Sequence, residues 1–117
     1  MKTVLIVEDI DLNIDLLTQL LEEEYSLLVA KDGAAGVALA EEKKPDLVIM
    51  DIALPIMDGY EATRRIRARF PSMPVIGLSS HAMSGDAEKA RAAGCNDYLT
   101  KPIDEDLLLS TLRRYLE

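Results

Sequence analysis

The sequence predicts an α/β fold, with a doubly wound parallel sheet enclosed between two layers of helices. Three observations predict it. Five short segments rich in Val, Ile and Leu recur along the 117 residues, and helical patterns separate them. The apolar segments are nearly continuous rather than alternating, which is typical of strands covered on both faces. Because strand and helix alternate, we expect right-handed crossovers and a (βα)5 three-layer sandwich.

The strands and helices follow one another in a regular order. The predicted strands are Val4–Val7, Leu27–Ala30, Leu47–Met50, Val75–Leu78 and, with the weakest signal, Tyr98–Leu99. The predicted helices cover residues 11–24, 34–43, 59–69, 84–93 and 104–116. The strand-bearing segments share no sequence repeat, so a solenoid is not expected.

Local sequence signals support the helices in turn. The first helix has leucines at helical spacing and ends in solvated glutamates at 22–24. Lys43, Lys44 and Pro45 end the second helix with cations and a breaker, and Gly94 stands where a C-terminal glycine is expected after the fourth. Arginines at 64, 65, 67 and 69 predict a solvated face on the third helix. The last helix again has an apolar stripe that includes Leu108 and Leu112.

Composition limits the function classes. We expect one domain spanning residues 1–117. The net charge of -8 opposes binding to a nucleic-acid backbone. No apolar run is long enough to cross a membrane, and the start of the chain lacks the features of a signal peptide, so a cytoplasmic protein is expected. The single cysteine, Cys95, is interpreted as a packing residue, because one thiol forms neither an internal disulfide nor a zinc site.

Polar side chains follow the predicted strands at the points where functional residues collect in an open parallel sheet. Glu8 and Asp9 follow the first strand and Asp51 the third, while Ser79 and Lys101 follow the fourth and fifth. In the flavodoxin-like strand order 2-1-3-4-5, strands one and three are neighbours, so the three carboxylates converge. Carboxylates gathered in this way need a cation, and a set of oxygen ligands without His or Cys favours Mg²⁺.

Asp51 has the chemistry of a nucleophile. A carboxylate that is ionised at neutral pH attacks phosphorus without a general base. Phosphoryl transfer then depends on positioning and on neutralising the transferred oxygens, for which magnesium, Lys101, the Ser79 hydroxyl and backbone N–H groups are candidates. The product is a labile acyl phosphate on the side chain.

Each of these residues alone has a purely structural interpretation. Glu8 and Asp9 are also typical of a helix N-terminus, Asp51 of a turn, and Lys101 of a solvated surface. Their joint position at successive strand ends favours the functional interpretation.

Three other functions remain open at this point. A phosphatase of the haloacid-dehalogenase-like kind has a second acid two residues after its nucleophile, where this chain has Ala53. A flavodoxin-like cofactor binder needs a Gly/Ser/Thr-rich first turn, and the first turn here is acidic. A passive dimerisation module would ignore magnesium altogether.

The whole chain resembles the receiver domain of bacterial two-component response regulators, especially the single-domain, chemotaxis-regulator-like kind. The most specific matches are VLIVED at 4–9, DLVIMDIALPIMDG at 46–59 and DYLTKP at 97–102. Chance agreement in three correctly spaced segments is implausible. The resemblance implies a receiver with no output domain, and it leaves open a stand-alone regulator or a part of a larger protein.

The resemblance also assigns roles to individual residues. It implies that Asp51 is the phosphorylation site. The magnesium ligands would be Asp9 directly, Glu8 directly or through water, Asp51, and the backbone carbonyl of Ala53. Lys101 would pair with the phosphoryl group, next to a cis Lys101-Pro102 bond. Ser79 would be the switch hydroxyl and Tyr98 the switch aromatic.

The same resemblance implies a phosphorelay mechanism and its partners. The donor would be a sensor histidine kinase or a histidine phosphotransfer protein. When Ser79 bonds a phosphoryl oxygen, the Tyr98 ring would turn from an outward to an inward position. The face formed by the fourth helix, fifth strand and fifth helix would change and meet a downstream protein, without direct contact to nucleic acid or membrane. The domain would catalyse only its own phosphorylation and dephosphorylation.

Overall fold

A computed structural model describes residues 1–79 and 86–117 of the chain. The strands are β1 (Thr3–Val7), β2 (Ser26–Ala30), β3 (Leu47–Asp51), β4 (Val75–Ser79) and β5 (Asp97–Thr100). The helices are α1 (Asp11–Leu21), α2 (Gly33–Lys43), α3 (Gly59–Arg69), α4 (Asp86–Ala93) and α5 (Glu105–Leu116). Every predicted element is present, and the predicted start of the fourth helix at 84 lies outside the described residues.

The strands form one parallel sheet in the order β2-β1-β3-β4-β5, which confirms the predicted doubly wound, flavodoxin-like fold. Two apolar cores lie on its opposite faces. One joins the sheet to α1 and α5 through Ile6, Leu17, Leu21, Ile49, Leu108 and Leu112. The other joins it to α2, α3 and α4 through Leu5, Ala40, Met50, Ala62, Ile66 and Ala90. Because the central strands are buried on both faces, their sequences are continuously apolar.

Helix α1 ends at Leu21 rather than at the predicted residue 24, because three successive glutamates are unfavourable at the negative end of a helix dipole. Its leucine stripe is only partly buried. Leu17 and Leu21 lie in the core, whereas Leu12 is 76% exposed and Leu16 is also exposed. The first half of α1 therefore exposes two leucine side chains among its polar residues.

The amino ends of β4 and β5 are joined by a polar network centred on Arg67 of α3. Its Nε and Nη2 donate to the Gly94 carbonyl at 3.1 and 2.7 Å, and Nη1 donates to the Pro71 carbonyl at 2.8 Å. The Asn96 side-chain oxygen accepts from Arg67 Nη2 at 2.5 Å and from the Val75 N–H at 2.9 Å. Arg67 is therefore a structural link, and the prediction of a wholly solvated arginine face was wrong at this position. Arg64 and Arg65 are exposed and pair with Glu61.

Glycines allow close approach of α2 to its neighbours. A Cβ at Gly36 would lie 2.9 Å from the Val7 methyl carbons, and one at Gly33 would lie 2.0 Å from the Met57 carbonyl oxygen. Helix α2 therefore holds β1 and the loop after β3 in fixed relation. Within the described ranges, the structure contains no helix with the length and apolar character of a membrane span.

Candidate functional site

The end of β1 supplies two carboxylates in different environments. Glu8 is buried, and its Oε2 accepts hydrogen bonds from the N–H groups of Asp9 and Ile10 at 3.0 and 3.2 Å. The N-cap residue of α1 is Ile10, with no side-chain cap, so the structural interpretation of Glu8 and Asp9 as helix caps does not hold. Asp9 Oδ1 is buried and has no hydrogen-bond partner among the residues described. The fold thus holds one carboxylate in place and leaves an acceptor of the other unsatisfied.

The end of β3 places Asp51 beside this pair. Its side chain is buried, and its Oδ1 accepts a hydrogen bond from the Ala53 N–H at 3.2 Å. Gly59 allows the start of α3 to pack closely against the backbone of Asp51, because a Cβ at residue 59 would lie 2.2 Å from the Asp51 carbonyl oxygen. The Gly59 N–H also donates to the Ile52 carbonyl at 2.9 Å. Sequence reasoning did not give Gly59 this role, although the Asp58-Gly59 pair before the helix was a usable signal.

Lys101 reaches the carboxylates from the end of β5. Its Nζ lies 2.8 Å from Glu8 Oε1 and 3.6 Å from Asp51 Oδ2, so the tighter ion pair is with Glu8. The Lys101-Pro102 bond is cis, as the resemblance implied. The Lys101 N–H donates to the Ser79 carbonyl at 2.7 Å, which joins the ends of β4 and β5. The predicted association of Lys101 with Glu8 and Asp51 is therefore present in the fold.

The carboxylates of Asp51 and Glu8 influence each other's pKa. Burial, and then the hydrogen bond and negative charge of Glu8, raise the pKa of Asp51 to about 7, although Lys101 opposes the rise. The pKa of Glu8 is lowered: burial acts to raise it, but hydrogen bonds from Asp51 and Lys101 outweigh that effect. Without a cation, the pair therefore holds a proton near neutral pH, mainly on Asp51. Clustered carboxylates without a cation are expected to hold a proton on at least one of them, and the raised pKa assigns it to Asp51; the ionised nucleophile predicted from sequence therefore requires the cation.

The three carboxylates fit a hard divalent cation. One oxygen from each of Glu8, Asp9 and Asp51 lies within 4.8 Å of the others. The donors are all oxygens, which suits Mg²⁺, and the unsatisfied Asp9 Oδ1 is an acceptor that a cation would satisfy. A divalent charge would also favour the ionised forms of Glu8 and Asp51.

The remaining predicted residues lie around this cluster. Ser79 is buried at the end of β4, one position beyond Leu78, the residue that pairs with Asp51. Ala53 is exposed next to Asp51. Tyr98 lies further back on β5, half-buried, against the core on the α3 and α4 side of the sheet. The structure thus gathers Glu8, Asp9, Asp51 and Lys101, with Ser79 adjacent and Tyr98 apart.

Comparisons with known proteins identify the family. The sequence matches the response regulator receiver domain over residues 4–113. The chain belongs to this family. The polar-differentiation response regulator DivK of Brucella anthropi is 38% identical over 98% of this chain and 96% of its own length. Protein PilH of Pseudomonas aeruginosa is 40% identical over 99% of this chain and 98% of its own length.

Solved receiver domains share the fold. The receiver domain of a sensor histidine kinase of Pseudomonas aeruginosa PAO1, with a magnesium ion coordinated in its active-site cleft, has a TM-score of 0.91 and 38% identity. The two chains correspond over 97% of this one and 96% of the other. The BeF3-activated DrrB receiver domain has a TM-score of 0.91 and 28% identity, over 99% of this chain and 97% of the other.

Family membership decides among the functions considered from sequence. The protein is a receiver domain of two-component signalling, and receiver domains are phosphoryl-accepting switches that bind magnesium at an acidic pocket. The resemblance noted in the sequence is therefore confirmed, and the phosphatase and cofactor-binding alternatives are set aside.

Proposed function

We propose that this receiver domain accepts a phosphoryl group on Asp51 and holds Mg²⁺ through the carboxylates of Glu8, Asp9 and Asp51 and the backbone carbonyl of Ala53. The observation that carries the proposal is the position of Asp51. It is buried, it belongs to a cluster of three carboxylates, and it lies 3.6 Å from the Lys101 ammonium. Three carboxylates with one nearby lysine form a site with surplus negative charge that would attract a cation, and the bound cation together with Lys101 would then accommodate the negatively charged phosphoryl group.

The chain's own groups would position the reaction. The Ala53 N–H, which donates to Asp51 Oδ1, fixes the carboxylate so that Oδ2 faces Lys101. When bound, Mg²⁺ would neutralise phosphoryl oxygens and keep the carboxylates ionised. An Asp51 oxygen attacks phosphorus, the P–N bond of a phosphohistidine breaks, and its electron pair returns to the imidazole nitrogen. Lys101 would then leave Glu8 and pair with a phosphoryl oxygen.

The domain would catalyse only its own phosphorylation and the later hydrolysis of the acyl phosphate. We assign the phosphoryl donor to a sensor histidine kinase or a histidine phosphotransfer protein. Ser79 would bond a phosphoryl oxygen and Tyr98 would move inward in response. The surface formed by α4, β5 and α5 would carry the change to a downstream protein in the cytoplasm. The Ser79 carbonyl bond to the Lys101 N–H supports this coupling of β4 to β5.

The test is phosphorylation with a small acyl-phosphate donor in the presence of Mg²⁺, followed by intact-protein mass spectrometry. The wild-type protein should gain one phosphoryl group, and Asp51→Asn should gain none. EDTA should prevent the reaction of the wild type.

The matched control is Asp58→Asn in the same loop. Asp58 Oδ1 caps α3 by accepting from the Glu61 N–H at 2.9 Å, and an asparagine oxygen can make the same bond. This variant should be phosphorylated like the wild type. Phosphorylation of Asp51→Asn at the wild-type rate would overturn the site assignment.

A further inference from the structure

The centre of β4 lacks a side chain where β5 carries Tyr98. Gly77 is buried and is the direct partner of Tyr98 in the β4–β5 register. An ideal Cβ at Gly77 would lie 3.6 Å from Cδ2 of the Tyr98 ring. One edge of the ring therefore lies over the glycine, and no methyl group separates the ring from the β4 backbone.

Two further side chains border the same space. The Gly77 Cβ would lie 3.3 Å from Cys95 Sγ, which is closer than an ordinary Cβ contact, and 3.4 Å from Ile52 Cδ1, which is at the lower limit of one. Cys95 and Ile52 are buried, so neither can move aside into solvent. The volume that a side chain at 77 would need is therefore bounded by a thiol, an aliphatic group and the edge of an aromatic ring. We refer to this volume as the Gly77 niche.

The niche lies between two residues that are proposed to move together. Successive side chains of a strand alternate between faces, so positions 77 and 79 of β4 face the same side of the sheet. Ser79 is at one end of this row, beside the carboxylate cluster, and Tyr98 is alongside position 77 on the next strand. Motion of the Tyr98 ring toward β4 would bring it against position 77, where glycine has no side chain.

We propose that Gly77 is a positioning residue of the switch: the niche between Gly77, Cys95 and Ile52 receives the Tyr98 ring and sets the balance between its inward and outward positions. This inference rests on the proposed function, because it takes Ser79 and Tyr98 as the coupled pair. A methyl group at 77 fills the niche and disfavours the inward ring. Loss of the Cys95 sulfur widens the niche and favours it.

The experiment uses the full chain labelled with fluorotyrosine and observed by 19F NMR. The four tyrosines give separate signals, and the Tyr98 signal is the one absent from Tyr98→Phe. Beryllofluoride with Mg²⁺ mimics the phosphoryl group. Gly77→Ala should bind beryllofluoride about tenfold more weakly than the wild type, since overpacking by one methyl group disfavours the occupied state on that scale. Its Tyr98 signal should also shift less.

Cys95→Ala provides the opposite change and contains no added atoms, so it carries the test even where Gly77→Ala fails to fold. It should bind beryllofluoride a few-fold more tightly, and the double variant should return toward wild type. Affinity for Mg²⁺ alone should be the same in all three variants, because the metal ligands lie outside the niche.

The possible outcomes distinguish the role of the Gly77 niche from the proposed function. Normal beryllofluoride binding by the wild type, with an unchanged Tyr98 signal and affinity in Gly77→Ala and Cys95→Ala, would overturn the role of the niche alone. A wild-type protein that does not bind beryllofluoride with Mg²⁺ would overturn the proposed function, and the niche inference with it.

Discussion

The edge of the sheet at the amino ends of the strands and the edge at their carboxyl ends differ in how their polar groups are paired. At the amino ends of β4 and β5, the Arg67 guanidinium and the Asn96 amide are surrounded by carbonyl and N–H partners at hydrogen-bond distance. At the carboxyl ends of the strands, three carboxylates converge around one lysine, and Asp9 Oδ1 has no partner in the described parts of the chain. At the amino-end edge the protein itself supplies the hydrogen-bond partners. At the carboxyl-end edge the carboxylates would need a bound cation to balance their charge.

This difference indicates where stability and function are separated in the molecule. The satisfied network at the amino ends is partly buried and contributes to the free energy of unfolding, and removal of its central donor would leave several acceptors without their protein partner. Repulsion within an acidic cluster lowers the free energy of unfolding. A bound cation relieves this repulsion, and the relief contributes to the affinity for the cation. Substitutions at the two edges should therefore have different signatures, and four of them test the comparison, from the largest expected effect to the smallest.

Arg67→Met should have the largest effect on stability. It removes the donors to the Gly94 and Pro71 carbonyls and to the Asn96 side chain. We expect a loss of about 3 kcal/mol in the free energy of unfolding, measured in urea, with Mg²⁺ affinity unchanged. The control is Arg64→Met, whose exposed pair with Glu61 should contribute under about 0.5 kcal/mol. Equal losses in the two variants would contradict a structural role specific to Arg67.

Asp9→Asn should show the reverse pattern at the other edge. Loss of one charged ligand should weaken Mg²⁺ binding by about a hundredfold, measured by calorimetric titration. In EDTA the same variant should be at least as stable as the wild type, because one negative charge has left a crowded cluster. Asp11→Asn is the control, since Asp11 is exposed and pairs with Lys31 at 2.7 Å. A destabilised Asp9→Asn with intact Mg²⁺ affinity would mean that this edge is structural as well.

The pH dependence of stability should reveal the proton held by Asp51. Its pKa in the folded protein is raised to about 7 from an ordinary 3.8, so the folded state holds the proton more tightly than the unfolded state. The associated stability is present at low pH and is lost as pH rises toward 7.

In EDTA, the wild type should therefore lose stability between pH 5 and 7, with a slope of at most about 1.4 kcal/mol per pH unit. The lowered pKa of Glu8 acts below this window. Asp51→Asn should lack the slope in urea unfolding series at matched pH. A free energy of unfolding of the wild type that increases from pH 5 to 7 would exclude a raised pKa of Asp51.

Tyr25→Phe is the smallest change and tests an exception at the satisfied edge. The Tyr25 hydroxyl precedes β2, is buried, and has no hydrogen-bond partner in residues 1–79 and 86–117. Its removal should leave stability unchanged or raise it by up to about 1 kcal/mol. Tyr115→Phe is the matched comparison, because that hydroxyl donates to the Asn96 carbonyl at 3.1 Å and its loss should destabilise by about 1 kcal/mol. In thermal unfolding, Tyr115→Phe should therefore lower the midpoint temperature, whereas Tyr25→Phe should leave it unchanged or raise it.

The elements and the site were largely predictable because both depend on local order. Continuous apolar runs identify strands buried on two faces, and the strand-end rule then brings Glu8, Asp51 and Lys101 to one edge. Helix α3 begins and ends where predicted, since Asp58 caps its start and Phe70 follows its last turn. These signals lie within a few residues of the feature that they predict.

The features that could not be predicted concern distances between elements. The spacing of leucines in α1 indicates an apolar stripe, but it does not tell how far the neighbouring elements extend over it, and Leu12 stays exposed. The Arg67 partner Gly94 is 27 residues away, so the arginine resembled its solvated neighbours. The raised pKa of Asp51 depends on its separation from Glu8, which sequence reasoning did not provide.

The ion pair between Glu8 and Lys101 joins residues that are 93 positions apart. Nearly the whole chain must therefore be synthesised and folded before the lysine stands beside the acids. In a nascent or misfolded copy, Asp51, the proposed phosphoryl acceptor, would lack these surroundings. The proposed phosphoryl transfer would therefore depend on completed folding, and immature copies would not be phosphorylated.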